Sequence, residues 1–379
     1  MKNLRPNIGF VIYSLPEAGN ILLTDLVDTL HDLVNRLYVV AWGKGEKLFE
    51  SRDDAVEVFQ VYHASGSNVL TRVWSYVLTQ LKISFRLVKL RKRTDIWIFA
   101  IGGEGLLLPT ITAKMIRKVV LVYPVGSGVD ALRRLNDPLV GSLGNLRTIN
   151  YRLVDGIVLN SHRLIEQFRL EKYRDKVFIA HAHYIHFDKF NVQKPLQQRK
   201  SIIGFVGRLS QEKGILNFLE AIPLALNLRD DISFVIIGDG PLRPEVESRI
   251  RQHNVSNKVN FIGWVQHDDL PSHLNELKLL VMPSYTEAGP YTVFEAMACG
   301  TPTLSTPVGQ VPDAITDNKT GFIMENNSPE CIARNIVRAL SHPNLEQITD
   351  LAHDFVRKEV SLESAVNLYR KILQAFTHK

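Results

Sequence analysis

The stretch Leu279-Leu-Val-Met-Pro-Ser-Tyr-Thr-Glu-Ala-Gly-Pro-Tyr-Thr-Val-Phe-Glu-Ala-Met-Ala-Cys-Gly-Thr-Pro302 decides the fold. Its first four residues are apolar and predict a buried strand. Pro and Ser then open a loop, and a helix is predicted from Tyr291 to Ala298, ended by Gly300 and Pro302. A strand that runs through a loop into a helix N-terminus is typical of α/β proteins, and there unpaired N–H groups and the helix dipole favour anions.

Two carboxylates bracket this turn, Glu287 in the loop and Glu295 in the helix. Their spacing alone also fits an ordinary connection with two solvated glutamates. The remaining motifs decide between that interpretation and a ligand site.

The length of 379 residues predicts two domains, each able to bury its own core. Apolar strands alternate with helical patterns from Asn7 onward, which predicts parallel sheets with helices on their faces. We expect an N-terminal domain over residues 1–192, a polar linker over 193–200, a second domain over 201–359 and a final helix over 360–379.

The composition of the chain argues against several classes of protein. The two cysteines, Cys299 and Cys331, are too few for a disulfide scaffold or a cysteine-based zinc site, and they suit a reducing compartment. The first residues, Met1 to Pro6, lack the apolar run of a signal peptide, and no apolar stretch is long enough to span a membrane. We therefore expect a cytoplasmic protein. The net charge is +6, but the basic residues do not alternate with exposed aromatic side chains on which bases could stack, so nucleic-acid binding is not predicted.

A second motif, Gly207-Arg-Leu-Ser-Gln-Glu-Lys-Gly214, follows the predicted strand Ser201–Val206 and precedes a helix. Arg208 offers a fork of donors and Lys213 a point charge, so the two cations can neutralise a diphosphate. The alternative is a pair of exposed cations in a loop.

Together the two motifs resemble glycosyltransferase family 4, the retaining glycosyltransferases of the GT-B fold. That family carries two glutamates separated by seven residues, then a small-residue helix with Gly-x-Pro, and a Gly-Arg…Glu-Lys-Gly turn. The resemblance implies two Rossmann-like α/β domains facing across a cleft, with the last helix returning to the first domain. It also implies transfer of a hexosyl or N-acetylhexosaminyl group from a nucleotide-diphosphate sugar, with no cofactor and no metal.

The resemblance assigns roles to particular residues. Arg208 and Lys213 would neutralise the diphosphate, Glu287 would hold the donor sugar, and Glu295 would hold the ribose hydroxyls. Arg208, Lys213 and Glu287 form the candidate catalytic set. Further donor-binding residues are expected at Gly207, Gly238, Trp264, Val265, Gly289, Tyr291 and Thr292. Trp264 equally fits a core position.

The sequence departs from the family in its first half. The loop after the first strand offers only Gly19 where paired glycines are usual, and the usual His near the donor sugar is replaced at Tyr123, Pro124 and Val125. Gly126 to Gly128 supply either backbone donors or a plain turn. These departures leave room for a non-catalytic nucleotide-sugar-binding partner protein. A separate alternative is another GT-B enzyme, such as a sugar-nucleotide epimerase or a phosphorylase, but the paired glutamates and the Gly-Arg…Lys motif disfavour both.

Three histidines, His181, His183 and His186, lie close together in sequence. Imidazole is a common ligand of transition metals. No carboxylate or Cys completes a recognised spacing, so we expect no metal here.

A basic helix is predicted over Val69 to Arg93. Its broad apolar face beside a basic stripe suits either a helix lying in an anionic membrane interface or a core helix, and we expect the apolar residues, among them Trp74, Leu81 and Phe85, to pack on the sheet as core. The acid-free end at Arg86, Lys89, Arg91, Lys92 and Arg93 fits either a solvated edge or a reversible contact with an anionic membrane. The membrane alternative implies a lipid or lipid-linked glycan as acceptor.

Overall fold

The structure is a computed structural model that describes residues 5–12, 19–41, 56–63, 68–100, 102–124, 137–181, 183–287 and 289–377. The chain forms two compact units. The N-terminal unit comprises Met1–His183 with Ala365–Lys379, and the C-terminal unit comprises Tyr184–Ser364.

The N-terminal unit is built on a parallel sheet with the order β3-β2-β1-β4-β5-β6-β7. Its described strands are β1 (Asn7–Ile12), β2 (Arg36–Ala41), β3 (Val56–Gln60), β4 (Ile96–Ala100), β5 (Val119–Tyr123), β6 (Gly156–Leu159) and β7 (Val177–Ile179). Its described helices are α1 (Gly19–His31), α2 (Val69–Lys89), α3 (Leu107–Met115), α4 (Val140–Leu153) and α5 (Leu164–Gln167).

The C-terminal unit is a parallel sheet with the order β10-β9-β8-β11-β12-β13. Its strands are β8 (Ile202–Val206), β9 (Ser233–Ile237), β10 (Val259–Gly263), β11 (Leu279–Met282), β12 (Thr303–Ser305) and β13 (Phe322–Ile323). Its described helices are α6 (Ile215–Leu228), α7 (Arg243–Gln252), α8 (Leu270–Glu276), α9 (Tyr291–Ala298), α10 (Val311–Ala314), α11 (Pro329–Leu340) and α12 (Leu345–Glu359), and the chain ends in α13 (Leu362–Thr377).

Both sheets reverse their strand order in the middle. In the C-terminal unit β8 lies next to β11, and the chain runs from β8 toward one edge and from β11 toward the other. In such sheets ligands bind outside the carboxyl ends of the strands at the reversal. The loops after β8 and β11 carry the two motifs, so the topology brings both motifs to that point.

The predicted fold class is confirmed, because both units are Rossmann-like α/β sheets. Strand β11 and helix α9 have the bounds that the sequence predicted. The sequence analysis did not predict helices α4, α7 and α8. In α7 only Val246 and Ile250 are buried, which leaves little apolar periodicity to detect.

The prediction that the apolar side of α2 packs as core is wrong. Its buried residues are Thr79, Gln80, Ile83 and Leu87, whereas Trp74 is 65% exposed and Phe85 58% exposed. Polar residues of the helix turn inward as well, and the Thr79 hydroxyl lies 2.6 Å from His63 Nδ1. The helix therefore packs on the core through Ile83 and Leu87, with polar contacts beside them, and not through the expected apolar residues.

None of the helices that the structure describes is both long enough and apolar enough to cross a membrane.

Candidate active site

The loop after β8 packs directly on the loop after β11. Gly214 has a φ of +70°, and a Cβ at this position would lie 2.1 Å from the Pro283 carbonyl oxygen. The Tyr285 N–H donates to the Glu212 carbonyl at 2.9 Å. Only glycine combines that positive φ with so close an approach, so Gly214 fixes the spacing of the two motifs.

Backbone hydrogen bonds also join the loop after β8 to the loops after β9 and β10. The Gly207 N–H donates to the Ile237 carbonyl at 3.0 Å, and the Gly238 N–H donates to the Gly263 carbonyl at 2.7 Å. A Cβ on Gly238 would lie 1.9 Å from the Gly207 oxygen. The loops after β8, β9 and β10 therefore form one surface at the carboxyl end of the sheet.

Lys213 and Glu287, one from each motif, form an ion pair. Lys213 Nζ lies 2.6 Å from Glu287 Oε1, and Ser284 Oγ donates to the same oxygen at 2.8 Å. Glu287 is 7% exposed and the Lys213 side chain 30% exposed. A nearly buried carboxylate needs such partners. The ammonium group still has donors available for another anion, because Lys has three.

Glu295 is held by a histidine that the sequence analysis missed. His267 Nε2 lies 2.6 Å from Glu295 Oε1, and Glu295 is 4% exposed. The His267 ring packs against Phe190, with 5.1 Å between ring centroids. The hydrogen bond to Glu295 raises the pKa of His267, although burial opposes the shift. The only sequence signal was its place two residues after Val265.

This pair gives a pH-dependent prediction. Because Glu295 raises the pKa of His267, its contribution to folded-state stability is fully present below the ordinary pKa of 6.5 and is lost as the pH rises through the raised value. We expect the melting-temperature advantage of wild type over His267→Gln to shrink with rising pH. In an NMR titration, Glu295→Gln should lower the pKa of His267. An unchanged imidazole pKa in that variant would show that the two side chains are not coupled.

The other predicted donor-binding residues lie on the same surface layer. Arg208 is exposed beside Gly207. Trp264 is 62% exposed after β10, so the alternative that it is a core residue is wrong. Val265 is half-buried and packs against the apolar cluster around α9. Gly289, Tyr291 and Thr292 are half-buried at the N-terminal end of that helix. Their roles toward a donor stay predictions.

The opposite end of α9 is fixed by a buried arginine. Arg199 is 5% exposed, donates to the Cys299 carbonyl at 2.7 Å, and donates to Thr301 Oγ1 at 2.8 Å. Burial lowers the pKa of Arg199 to about 10. Carbonyls at a buried helix end require partners of this kind. Arg199 comes from the stretch predicted as a linker, and it ties that stretch to the helix that carries Glu295.

In the part of the N-terminal unit that the structure describes, the positions singled out by the sequence analysis form no cluster of charged side chains like that around Lys213 and Glu287. The Tyr123 hydroxyl donates to Asn160 Oδ1 at 2.5 Å and is buried. Pro124 is also buried. Gly19 begins α1, whereas Val125 and the predicted donors Gly126 to Gly128 lie outside the described residues.

The three histidines do not assemble into a metal site. His183 is buried and its Nδ1 bonds to Asp25 Oδ2 in the N-terminal unit. The His186 ring packs on Tyr184, with 4.6 Å between centroids. Among the residues that the structure describes, no group of three or more His, Cys, Asp or Glu side chains could hold a metal ion.

Comparison with known proteins identifies the motif-bearing region. Residues 186–356 match the family described as Glycosyl transferases group 1. This range includes Arg208, Lys213, His267, Glu287 and Glu295.

Curated relatives match part of the chain. The alpha-D-kanosaminyltransferase of Streptomyces kanamyceticus is 30% identical over 46% of this chain and 46% of the relative. A phosphatidylinositol N-acetylglucosaminyltransferase component of Arabidopsis thaliana is 32% identical over 40% of this chain and 34% of the relative. The chain thus spans less than half the length of each of these relatives.

Solved structures are similar over nearly the whole chain. The crystal structure of Anabaena Alr3699/HepE, in complex with UDP and glucose, superposes with a TM-score of 0.75 at 17% identity, covering 98% of this chain and 100% of that one. Sucrose-phosphate synthase of Thermosynechococcus elongatus superposes with a TM-score of 0.73 at 16% identity, covering 98% and 100%. At these identities the likeness concerns the fold, which is that of GT-B glycosyltransferases. Residues 186–356, which carry both motifs, thus resemble the Glycosyl transferases group 1 family in sequence.

Proposed function

We propose that the protein is a retaining glycosyltransferase of family 4 that moves a hexosyl or N-acetylhexosaminyl group from a nucleotide-diphosphate sugar. The observation that carries the proposal is the contact between the two motifs, in which Lys213 reaches Glu287 across the switch point of the C-terminal sheet. A cation and a carboxylate then stand where a diphosphate and a sugar would meet.

The proposed chemistry is electrostatic. The diphosphate gathers negative charge as its bond to the sugar breaks, and fixed cations aimed at it lower the barrier. Lys213 is already positioned by Glu287, and Arg208 is exposed on the same loop. Backbone N–H groups at the start of α9 add their dipoles. We assign no nucleophile, because the two-carboxylate scheme of glycosidases does not carry over to this reaction.

The test begins with the donor. We expect a panel of nucleotide sugars to contain one that raises the melting temperature, since a ligand of the folded state stabilises it. With that donor and an acceptor, purified protein should release nucleoside diphosphate and form a glycoside that retains the anomeric configuration. Binding without transfer would favour a non-catalytic nucleotide-sugar-binding protein, and altered sugar without an acceptor would favour an epimerase.

We also propose that the reaction needs no divalent metal, because Arg208 and Lys213 supply the positive charge. Transfer should keep its full rate in excess chelator. Complete loss of activity in chelator, restored by one divalent ion, would contradict this proposal. A mock-treated sample that passes through the same buffer exchange is the control.

The acceptor in this proposal is a lipid or a lipid-linked glycan, and the site of action is the cytoplasmic face of a membrane. Both cysteines are free and buried, which fits a reducing compartment. The name of the Arabidopsis relative includes the word phosphatidylinositol, a membrane lipid. Transfer to a lipid extract, compared with transfer to water-soluble aminocyclitols and free sugars, tests the acceptor class.

A further inference from the structure

Helix α2 presents an apolar row to solvent along its whole length. Leu70 is 81% exposed, Trp74 65%, Leu81 52% and Phe85 58%, and Val88 is also exposed. These residues recur at steps of three, four or seven, so they lie on one face. The row runs for roughly 27 Å at the rise of an α-helix. Such a large contiguous exposed apolar surface marks an interaction site.

The opposite face holds the helix firmly on the protein. Ile83 is 3% exposed and Leu87 is fully buried. Arg72 binds Asp137 at 2.7 Å, and the Tyr76 hydroxyl donates to the Gly105 carbonyl at 2.5 Å. The outward direction of the apolar row is thus set by packing and polar contacts on the inner side.

Cations flank this row and no acid interrupts it. Lys82, Lys89, Arg91 and Lys92 are exposed, and residues 69–93 contain no Asp or Glu. Lys89 Nζ lies 4.6 Å from the centroid of the Phe85 ring, so the charge borders the apolar row. Arg86 and Arg93 are engaged elsewhere, since Arg86 packs over Phe59 and Arg93 Nη1 lies 3.4 Å from Glu57.

We infer that this face of α2 inserts into the interfacial layer of an anionic lipid bilayer. A helix with Trp, Phe and Leu on one face and lysines along its border is built to lie in the plane of such an interface. Lysine stems can extend along the apolar surface while their ammonium groups reach the phosphates. Because cations border the apolar row with no acid among them, this face complements the negative charge of an anionic lipid surface. A general protein partner would not require that charge. This goes beyond electrostatic docking by the basic end alone, and it does not depend on the proposed transfer activity.

Co-sedimentation with vesicles tests the inference, with phosphatidylglycerol mixed into phosphatidylcholine and with phosphatidylcholine alone. Wild type should bind the anionic vesicles and retain part of that binding in high salt, because the apolar term is not screened. The double variant Leu81→Ser/Phe85→Ser should lose binding about tenfold or more at both salt concentrations. The triple variant Lys89→Gln/Arg91→Gln/Lys92→Gln should lose about a hundredfold at low salt. Leu228→Ser, which changes an exposed leucine of the C-terminal unit, is the matched control and should bind as wild type does.

The depth to which α2 inserts into the bilayer is tested by quenching of tryptophan fluorescence with lipids brominated in their acyl chains. The fluorescence of Trp74, obtained as the difference between wild type and Trp74→Phe, should be quenched on anionic vesicles. The inference is overturned if wild type ignores anionic vesicles, or if the serine double variant binds as well as wild type. It is also overturned if wild type forms a dimer that the double variant abolishes, because the face would then bind a second copy.

Discussion

Lys213→Met should lower the rate of sugar transfer by about a hundredfold or more while the protein keeps its fold. Removing one fixed donor from a developing anion costs about 2.7–4 kcal/mol in activation free energy. Methionine retains the stem of this half-buried side chain, and Ser284 Oγ remains as a hydrogen-bond donor to the Glu287 carboxylate. The measurement is kcat for release of nucleoside diphosphate, together with circular dichroism and melting temperature. Arg208→Ala should cause a loss of similar size from an exposed position.

The chain offers a matched control for this experiment. Lys194 also pairs with a glutamate at 2.6 Å, and its side chain has the same 30% exposure, but its partner Glu276 lies outside both motifs. Lys194→Met should therefore leave transfer close to the wild-type rate. If Lys213→Met turns over as fast as Lys194→Met, Lys213 does not stabilise the leaving group, and the proposed function loses its main support.

The sequence predicted the motif-bearing strand β11 and helix α9 of the C-terminal unit well, because local signals and topology agree there. The apolar run Leu279–Met282 is too short for a helix, and Gly300 with Pro302 ends α9 where the structure ends it. The two motifs meet because the loops after β8 and β11 lie side by side at the switch point of the sheet, although the sequence analysis did not predict the ion pair between Lys213 and Glu287. Here residue type, spacing and chain direction all point to one arrangement.

The orientation of α2 could not be obtained from its pattern. Both faces of that helix contain residues able to pack, and periodicity alone does not say which face meets the protein. The deciding partners are distant in sequence, such as Asp137 for Arg72 and His63 for Thr79. The role of His267 was hidden for the same reason, because 28 residues separate it from Glu295. Long-range polar contacts carry no local signature.

Substitution of the two glutamates of the motif should impair different properties, nucleotide binding for Glu295 and sugar transfer for Glu287. Glu295→Gln should weaken binding of nucleoside diphosphate by about tenfold to a hundredfold, because a hydrogen bond to a charged group contributes about 1.5–3 kcal/mol. Glu287→Gln should leave that affinity unchanged or slightly higher, since it removes the carboxylate that competes for Lys213. Its sugar transfer should nevertheless drop about a hundredfold, because the contact proposed to act on the donor sugar is lost.

Calorimetry with nucleoside diphosphate and with intact donor separates the two effects. Glu276→Gln is the control, because it neutralises the carboxylate of the Lys194 pair and should change neither affinity nor rate. Glu295→Gln should lose affinity for both ligands alike, whereas Glu287→Gln should lose affinity only for the sugar-bearing donor. Equal losses for both variants with the bare nucleotide would refute the division of roles. The Lys213–Glu287 pair would then act as one unit in diphosphate binding, with no separate contact to the sugar.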